Sequence, residues 1–320
     1  MLEPSARYSF RKGGVRMNIV SFLPAATEMV YALGLGDELR AVTHECDYPP
    51  DARRKPVVVH LAVDLTGLSP HEIDAQVSRQ LHDRGTLYEV DEQVLRDAHP
   101  DLLVTQDLCQ VCAPSGTEVT RALAGLRPPP EVLWMTPRSV EGILGNIRDL
   151  GTSAHRSAEA SDLVRRLRTE FESLRAQTLG LPRPRVFCME WVDPVFCAGH
   201  WVPEMVEAAG GTDGLARPGV ESVRVPWAEV LRWAPEVLVV APCGYHLGRA
   251  KEEAARLPGL PGWDALPAVR HGRVFAVDAD SYISRPGPRV AEGARLLAHL
   301  FHPDEFPWEG PSDAFEPIEP

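Results

Sequence analysis

Lysine is nearly missing from this chain: three lysines stand against thirty arginines, and 45 acidic residues outnumber the 33 basic ones to leave a net charge of -12 over 320 residues. That shortage of positive charge, with the arginines dispersed, excludes an electrostatic grip on nucleic-acid phosphate or anionic lipid. No stretch approaches the roughly eighteen consecutive apolar residues of a membrane span, which excludes membrane insertion by a helix. The first sixteen residues hold no apolar segment of the kind an export signal needs, so residues 1–16 are expected to be a flexible extension and the chain as written to be cytoplasmic. The GxSxG, Walker A, strand-linked GxGxxG, HExxH and DxDxDG patterns are all missing, which argues against common hydrolase, nucleotide, zincin and EF-hand chemistry. The six cysteines of a long chain without export information read as thiols or metal ligands rather than a disulfide framework.

What is present is an alternation of short apolar runs with helical periodicity. Strands are expected at 18–23, 39–43, 101–105 and 131–135, with helices at 25–35, 69–83, 91–98 and 115–126 between them. Ser69, Pro70 and Glu72 form a helix-start signature. A long helical stretch follows over 139–178, with Gly151 as a point where it bends or divides, and Pro182 and Pro184 end it. A second series then runs strand 185–189, helix 202–209, strand 237–241, helix 250–257, strand 274–277 and helix 288–301. The expected fold is α/β: two Rossmann-like lobes with mostly parallel sheets, at 17–136 and 181–302, bridged by one long helix at 137–180, with an acidic, proline-rich tail at 303–320 that frays.

In open α/β sheets ligands collect at the carboxyl ends of strands, and the chemistry-bearing residues of this sequence fall there. His44, Glu45 and Cys46 follow one strand, Asp107, Cys109 and Cys112 another, and Glu190, Trp191, Cys197, His200 and Trp201 a third. Cys243 and His246 follow the next strand, and Tyr282 and Arg285 the last. Cys109 with Cys112, Cys197 with His200, and Cys243 with His246 repeat one three-residue offset that suits metal ligation. A metal set of Cys46, Cys109, Cys112, Cys197, His200 and Cys243 follows, with zinc or iron as the metal. The two indoles, Trp191 and Trp201, beside acids and turns, suit the stacking of a flat ligand.

The segments IVSFLPAATEMVYALGLG, HECDYPP, QDLCQVC, MEWVDPVFCAGHWVPEMVEAAGG and YISRPGPRVAEG, spread from Asn18 to Pro303, together closely resemble the cobalamin-binding type of class III substrate-binding protein. Ser21, Pro24, Thr27, Glu28, Ala32, Leu33 and Gly34 carry the pattern of the broad superfamily. The resemblance implies two lobes joined by a rigid helix and holding a corrinoid, an iron chelate or a metal. A cobalamin-like corrinoid is the expected ligand, stacked on Trp191, Trp201 and Tyr282, with His44, Glu45, Asp107, Glu190 and Arg285 as polar anchors and His44 or His200 as an axial cobalt ligand. The reading is of a small-molecule-binding protein rather than an enzyme. An ABC permease is a partner only of an exported chain, on the family's usual pattern of a periplasmic or cell-surface role. The alternatives are an intracellular metal- or Fe–S-binding protein or enzyme built on the Cys/His set, and an iron-chelate or haem binder on the same fold.

Overall fold

The computed structural model describes residues 17–106 and 116–319, the side chains at 84, 117 and 118 excepted. Its elements, in chain order, are β1 (Ile19–Ser21), α1 (Pro24–Ala32), β2 (Leu39–Thr43), β3 (Val57–Leu61), α2 (Pro70–Arg84), β4 (Tyr88–Val90), α3 (Glu92–Ala98), β5 (Leu102–Thr105), α4 (Gly116–Leu123) and β6 (Glu131–Trp134). Next come α5 (Val140–Ser153), α6 (Ser157–Thr178), β7 (Arg185–Val192), β8 (Val195–Cys197), α7 (Val202–Ala208), β9 (Thr212–Asp213), α8 (Trp227–Trp233) and β10 (Val237–Val240). The chain ends with α9 (Leu247–Ala254), α10 (Pro267–Arg270), β11 (Val274–Val277), α11 (Ala279–Tyr282), α12 (Val290–Phe301) and β12 (Phe315–Pro317).

Two compact units form. The first takes the described residues up to Val63 with Arg84–Met135 and Ile147–Leu163; the second takes Asp64–Asp83, Thr136–Asn146 and everything from Val164. The first unit's sheet has the order β4-β3-β2-β1-β5-β6, parallel except for the β3–β4 pair. Its central strands are covered on both faces: β1 and β5 are wholly buried, aliphatic except for Ser21 and Thr105 at their carboxyl ends. The order reverses between β1 and β5, so the crevice beyond their carboxyl ends is this sheet's natural ligand position. Local signals fix the helices. Asp91 caps α3 by accepting from the Gln93 and Val94 amides at 2.9 and 3.0 Å, and Ser69 and Glu72 close a capping box at α2, with Ser69 donating to the Glu72 carboxylate at 2.7 Å.

The second unit's sheet runs β12-β11-β10-β7-β8, with β9 beside the start of β7. The β10 strand, VLVV, is wholly buried between parallel partners β7 and β11. Phe187, Met189, Leu238, Val240 and Trp263 anchor one face of the core. Close packing holds α12 against the α11 turn: a Cβ on Gly293 would overlap the Tyr282 carbonyl oxygen and press on Met205 at 2.8 Å.

Three expectations change here. The single bridging helix at 137–180 is two helices, α5 and α6, broken at 154–156 where His155 takes a left-handed φ of 55°. They fold back on each other, with Arg168 on Glu141 at 2.7 Å, and Gly151 has no room for a Cβ beside Ala160. The helix at 69–83, expected in the N-terminal lobe, groups with the second unit. The tail at 303–320 does not fray over its described part: β12 pairs antiparallel with β11, Trp308 stands edge-on to Tyr282 at 5.8 Å, and Lys251 pairs with Glu316 at 2.6 Å. Eight of the described strands and α-helices go unmarked in the sequence reading: β3, β4, β8, β9, α8, α10, α11 and β12, of which β3 and α8 are the longest. Residues 1–16 lie outside the described part.

Candidate functional site

In the second unit, the carboxyl ends of the neighbouring strands β7 and β10 bring together Glu190, Trp191, Cys243 and Tyr245, and the Cys243 amide donates to the Glu190 carbonyl at 3.1 Å. The Trp191 and Tyr245 rings lie 5.4 Å apart at 49°, a half-buried aromatic surface rather than a closed core contact. The Trp191 indole N–H donates to the Asp193 carbonyl at 3.1 Å and reaches the Pro70 carbonyl at 3.4 Å. Behind Tyr245, the Arg249 guanidinium lies 5.4 Å over the phenol ring and pairs at 2.8 Å with Glu253, which is fully buried.

Glu190 stands beside this surface and accepts from the Ser222 hydroxyl at 2.6 Å. Burial pushes its carboxyl up from the ordinary value, against the lowering pull of Ser222 and of the Gly199 backbone. At the carboxyl end of β11, Asp278 caps α11 through the Ser281 amide at 2.9 Å and meets His246 Nδ1 at 3.1 Å. Burial would raise Asp278, but the His246 and Ser281 contacts prevail and hold it below the usual carboxylate range. His246 Nε2 lies 3.8 Å from Asp280.

The remaining expected ligand residues of this unit sit elsewhere. Trp201 is 5% exposed and donates its indole N–H to the Ile283 carbonyl at 3.0 Å, so packing at the start of α7 accounts for it. Tyr282 is covered by Trp308, and its burial, with Glu292 and Asp278 nearby, pushes its hydroxyl up to about 12. Arg285 meets Asp280 at 3.4 Å, with both side chains largely buried. His200 takes a left-handed φ of 56°, and its Nε2 is buried with no hydrogen-bond partner among the described residues. Burial and then the Arg138 charge lower its imidazole. Tyr245, Arg249, Ser222 and Asp278 were not singled out as site residues, although the strand-end rule reaches Tyr245 and Asp278.

In the first unit, His44 and Glu45 follow β2. His44 Nδ1 lies 3.2 Å from the Val59 carbonyl, and burial lowers its imidazole. The Glu45 amide donates to Thr43 Oγ1 at 3.0 Å. Cys46 is turned inward: it is 4% exposed, and its sulfur lies 3.0 Å from Thr27 Oγ1, which in turn donates to Ser21 Oγ at 2.9 Å. This thiol ties β1, α1 and β2 together beneath the surface. Asp107, Cys109 and Cys112 lie outside the described residues. Cys197 is a buried free thiol and Cys243 a half-buried one, with burial pushing Cys197 up. Among the described residues no group of three or more His, Cys, Asp or Glu is placed to hold a metal ion.

Two parallel-rich sheets whose strand ends present aromatic, acidic and imidazole side chains define an α/β ligand-binding protein. The chain belongs to the periplasmic binding protein family, whose model matches residues 19–281, of the class III iron/B12 type that the sequence motifs imply. It is 26% identical over 286 residues, 87% of either chain, to the vitamin B12-binding protein of Vibrio cholerae. It is 24% identical over 294 residues, 90% of this chain and 81% of the other, to the uncharacterized ABC transporter substrate-binding lipoprotein YvrC of Bacillus subtilis. Its fold matches that of a periplasmic heme binding protein from Pseudomonas aeruginosa with a TM-score of 0.69 at 19% identity, covering 96% of this chain and all of the other. No described helix is long and apolar enough to cross a membrane.

Proposed function

We propose that this chain binds a cobalamin-like corrinoid, as the substrate-binding partner of an ABC-type permease where it is exported. The observation that carries this reading is the likeness to a vitamin B12-binding protein across 87% of both chains. The Trp191–Tyr245 surface supports it. A corrin ring is broad, flat and apolar on its faces but fringed with amides, so it calls for aromatic walls bordered by hydrogen-bond acceptors. Trp191 and Tyr245 supply the wall, and Glu190 and Asp193 stand at its border. His44, Glu45 and Asp107 are the anchors this reading assigns to the first unit.

The test is a titration of the purified protein with cyanocobalamin, hydroxocobalamin and hemin, followed by visible absorbance. Saturable binding of either corrinoid is the expected result, and saturation by hemin alone would replace the corrinoid with haem.

A further inference from the structure

We propose that residues 64–83, made up of α2 and the turn before it, are a hinged strap that covers the Trp191–Tyr245 surface and must lift from it to admit ligand. This rests on the corrinoid reading for the identity of the ligand, but not for the existence of the strap.

The strands that the strap connects are already paired: β3 and β4 run antiparallel with Leu61 opposite Tyr88, so a tight turn would join them. A 15-residue helix is interposed instead, and residues 64–83 lodge on the second unit. They lodge at the aromatic surface itself. The Trp191 indole N–H reaches the Pro70 carbonyl, and Arg249, which lies over the Tyr245 ring, donates to the Leu68 carbonyl at 2.8 Å. Asp74 takes a two-pronged contact from Arg224 at 2.8 and 3.0 Å, and His71 faces Asp193 at 3.8 Å.

The Asp74–Arg224 and His71–Asp193 pairs are solvent-exposed, the kind whose individual worth in water is small, and the contacts to the Pro70 and Leu68 carbonyls are part-buried hydrogen bonds. Apolar anchoring is slight. Ile73, Val77 and Leu81 recur at helical spacing yet are only half-buried, and Pro70 is the one fully buried residue of the segment. An element held by few buried apolar contacts opens at low free energy. Both ends carry a glycine in the left-handed region, Gly67 at φ 73° and Gly85 at φ 74°, each with open space around it. Such positions can absorb a large backbone rotation at little cost. While the strap is down, Trp191 and Tyr245 are unavailable as a stacking surface, so the apparent affinity is the intrinsic one reduced by the open fraction.

The experiment has two arms on the full chain. Hydrogen exchange without ligand compares the amides of 70–84 with those of β7 and β10, and the strap is expected to exchange at least about a hundredfold faster. Stopped-flow mixing with cyanocobalamin then compares wild type with Asp74→Ala, Arg224→Ala and the double variant. Removing the ion pair is expected to speed association about two- to fivefold. Strap amides as protected as those of β10, or variants that associate no faster than wild type, would overturn the strap. A wild-type chain that takes up no corrinoid refutes the ligand reading instead, and the exchange arm then decides the strap alone.

Discussion

At the scale of single residues, burial shifts Glu190 and His200 of the second unit in opposite directions, and each makes a prediction with a definite sign. Burial raises the Glu190 carboxyl above its ordinary 4.5. The unfolded chain therefore loses that proton first, and the ionised side chain opposes folding as pH rises from about 4.5 through the folded value. Glu190→Gln is expected to raise Tm at pH 7 while leaving it unchanged below about pH 4, as a pair of thermal melts would show. A carboxylate kept at a stability cost beside an aromatic surface is a mark of a binding site. His200 has the opposite chemistry. Its imidazole is lowered from 6.5, so on acidification the unfolded chain takes up a proton that the folded chain resists, and stability falls as pH drops below about 6.5. Replacement by Asn, which tolerates the left-handed backbone, is expected to shrink the loss of Tm between pH 7 and pH 5.

The legibility of these residues follows their distance from a strand end. Trp191 and Glu190 could be picked out because they end β7 in a run of unmistakable strand residues, and their side chains remain at the surface the strand-end rule indicates. Trp201 misleads because a carbonyl 82 positions later, that of Ile283, accepts its indole N–H, and no local signal announces that partner. Cys46 stands at a spacing from His44 that suits a metal, and the turn that ends β2, closed by the Cys46 amide on the Thr43 carbonyl at 3.1 Å, carries its sulfur onto Thr27 beneath the surface.

At the scale of elements, most strands and helices follow from periodicity, since buried parallel strands are short runs of aliphatic residues and the helices carry readable caps. The VVVHL run of β3 carried a strand signal of the same kind but was passed over beside the Pro49–Pro50 break. Gly151 reads as a point of bending or division because glycine breaks helices; the break falls at 154–156, and the structure gives that glycine a packing role against Ala160. The membership of 64–83 has no local signal, since its contacts with Trp191, Arg224 and Arg249 span 121, 150 and 181 residues. One glycine tests the packing of the second unit. Gly293→Ala would drive a methyl into the Tyr282 backbone, which cannot swing aside as a side chain can. A loss of about 2–3 kcal/mol in a denaturant melt is expected, and a change within about 0.5 kcal/mol would show that α12 and α11 can separate at little cost.

At the scale of the whole molecule, the net charge of -12 argues against a polyanion as the ligand, and the family membership is that of small-ligand-binding proteins. The central claim is that this ligand is a corrinoid and that it stacks on Trp191. Calorimetric titration of wild type and Trp191→Ala with cyanocobalamin tests that claim most directly. One ligand per chain is expected for wild type, with affinity at least about tenfold weaker in the variant. No heat of binding from wild type, or equal affinity in the two proteins, would contradict it.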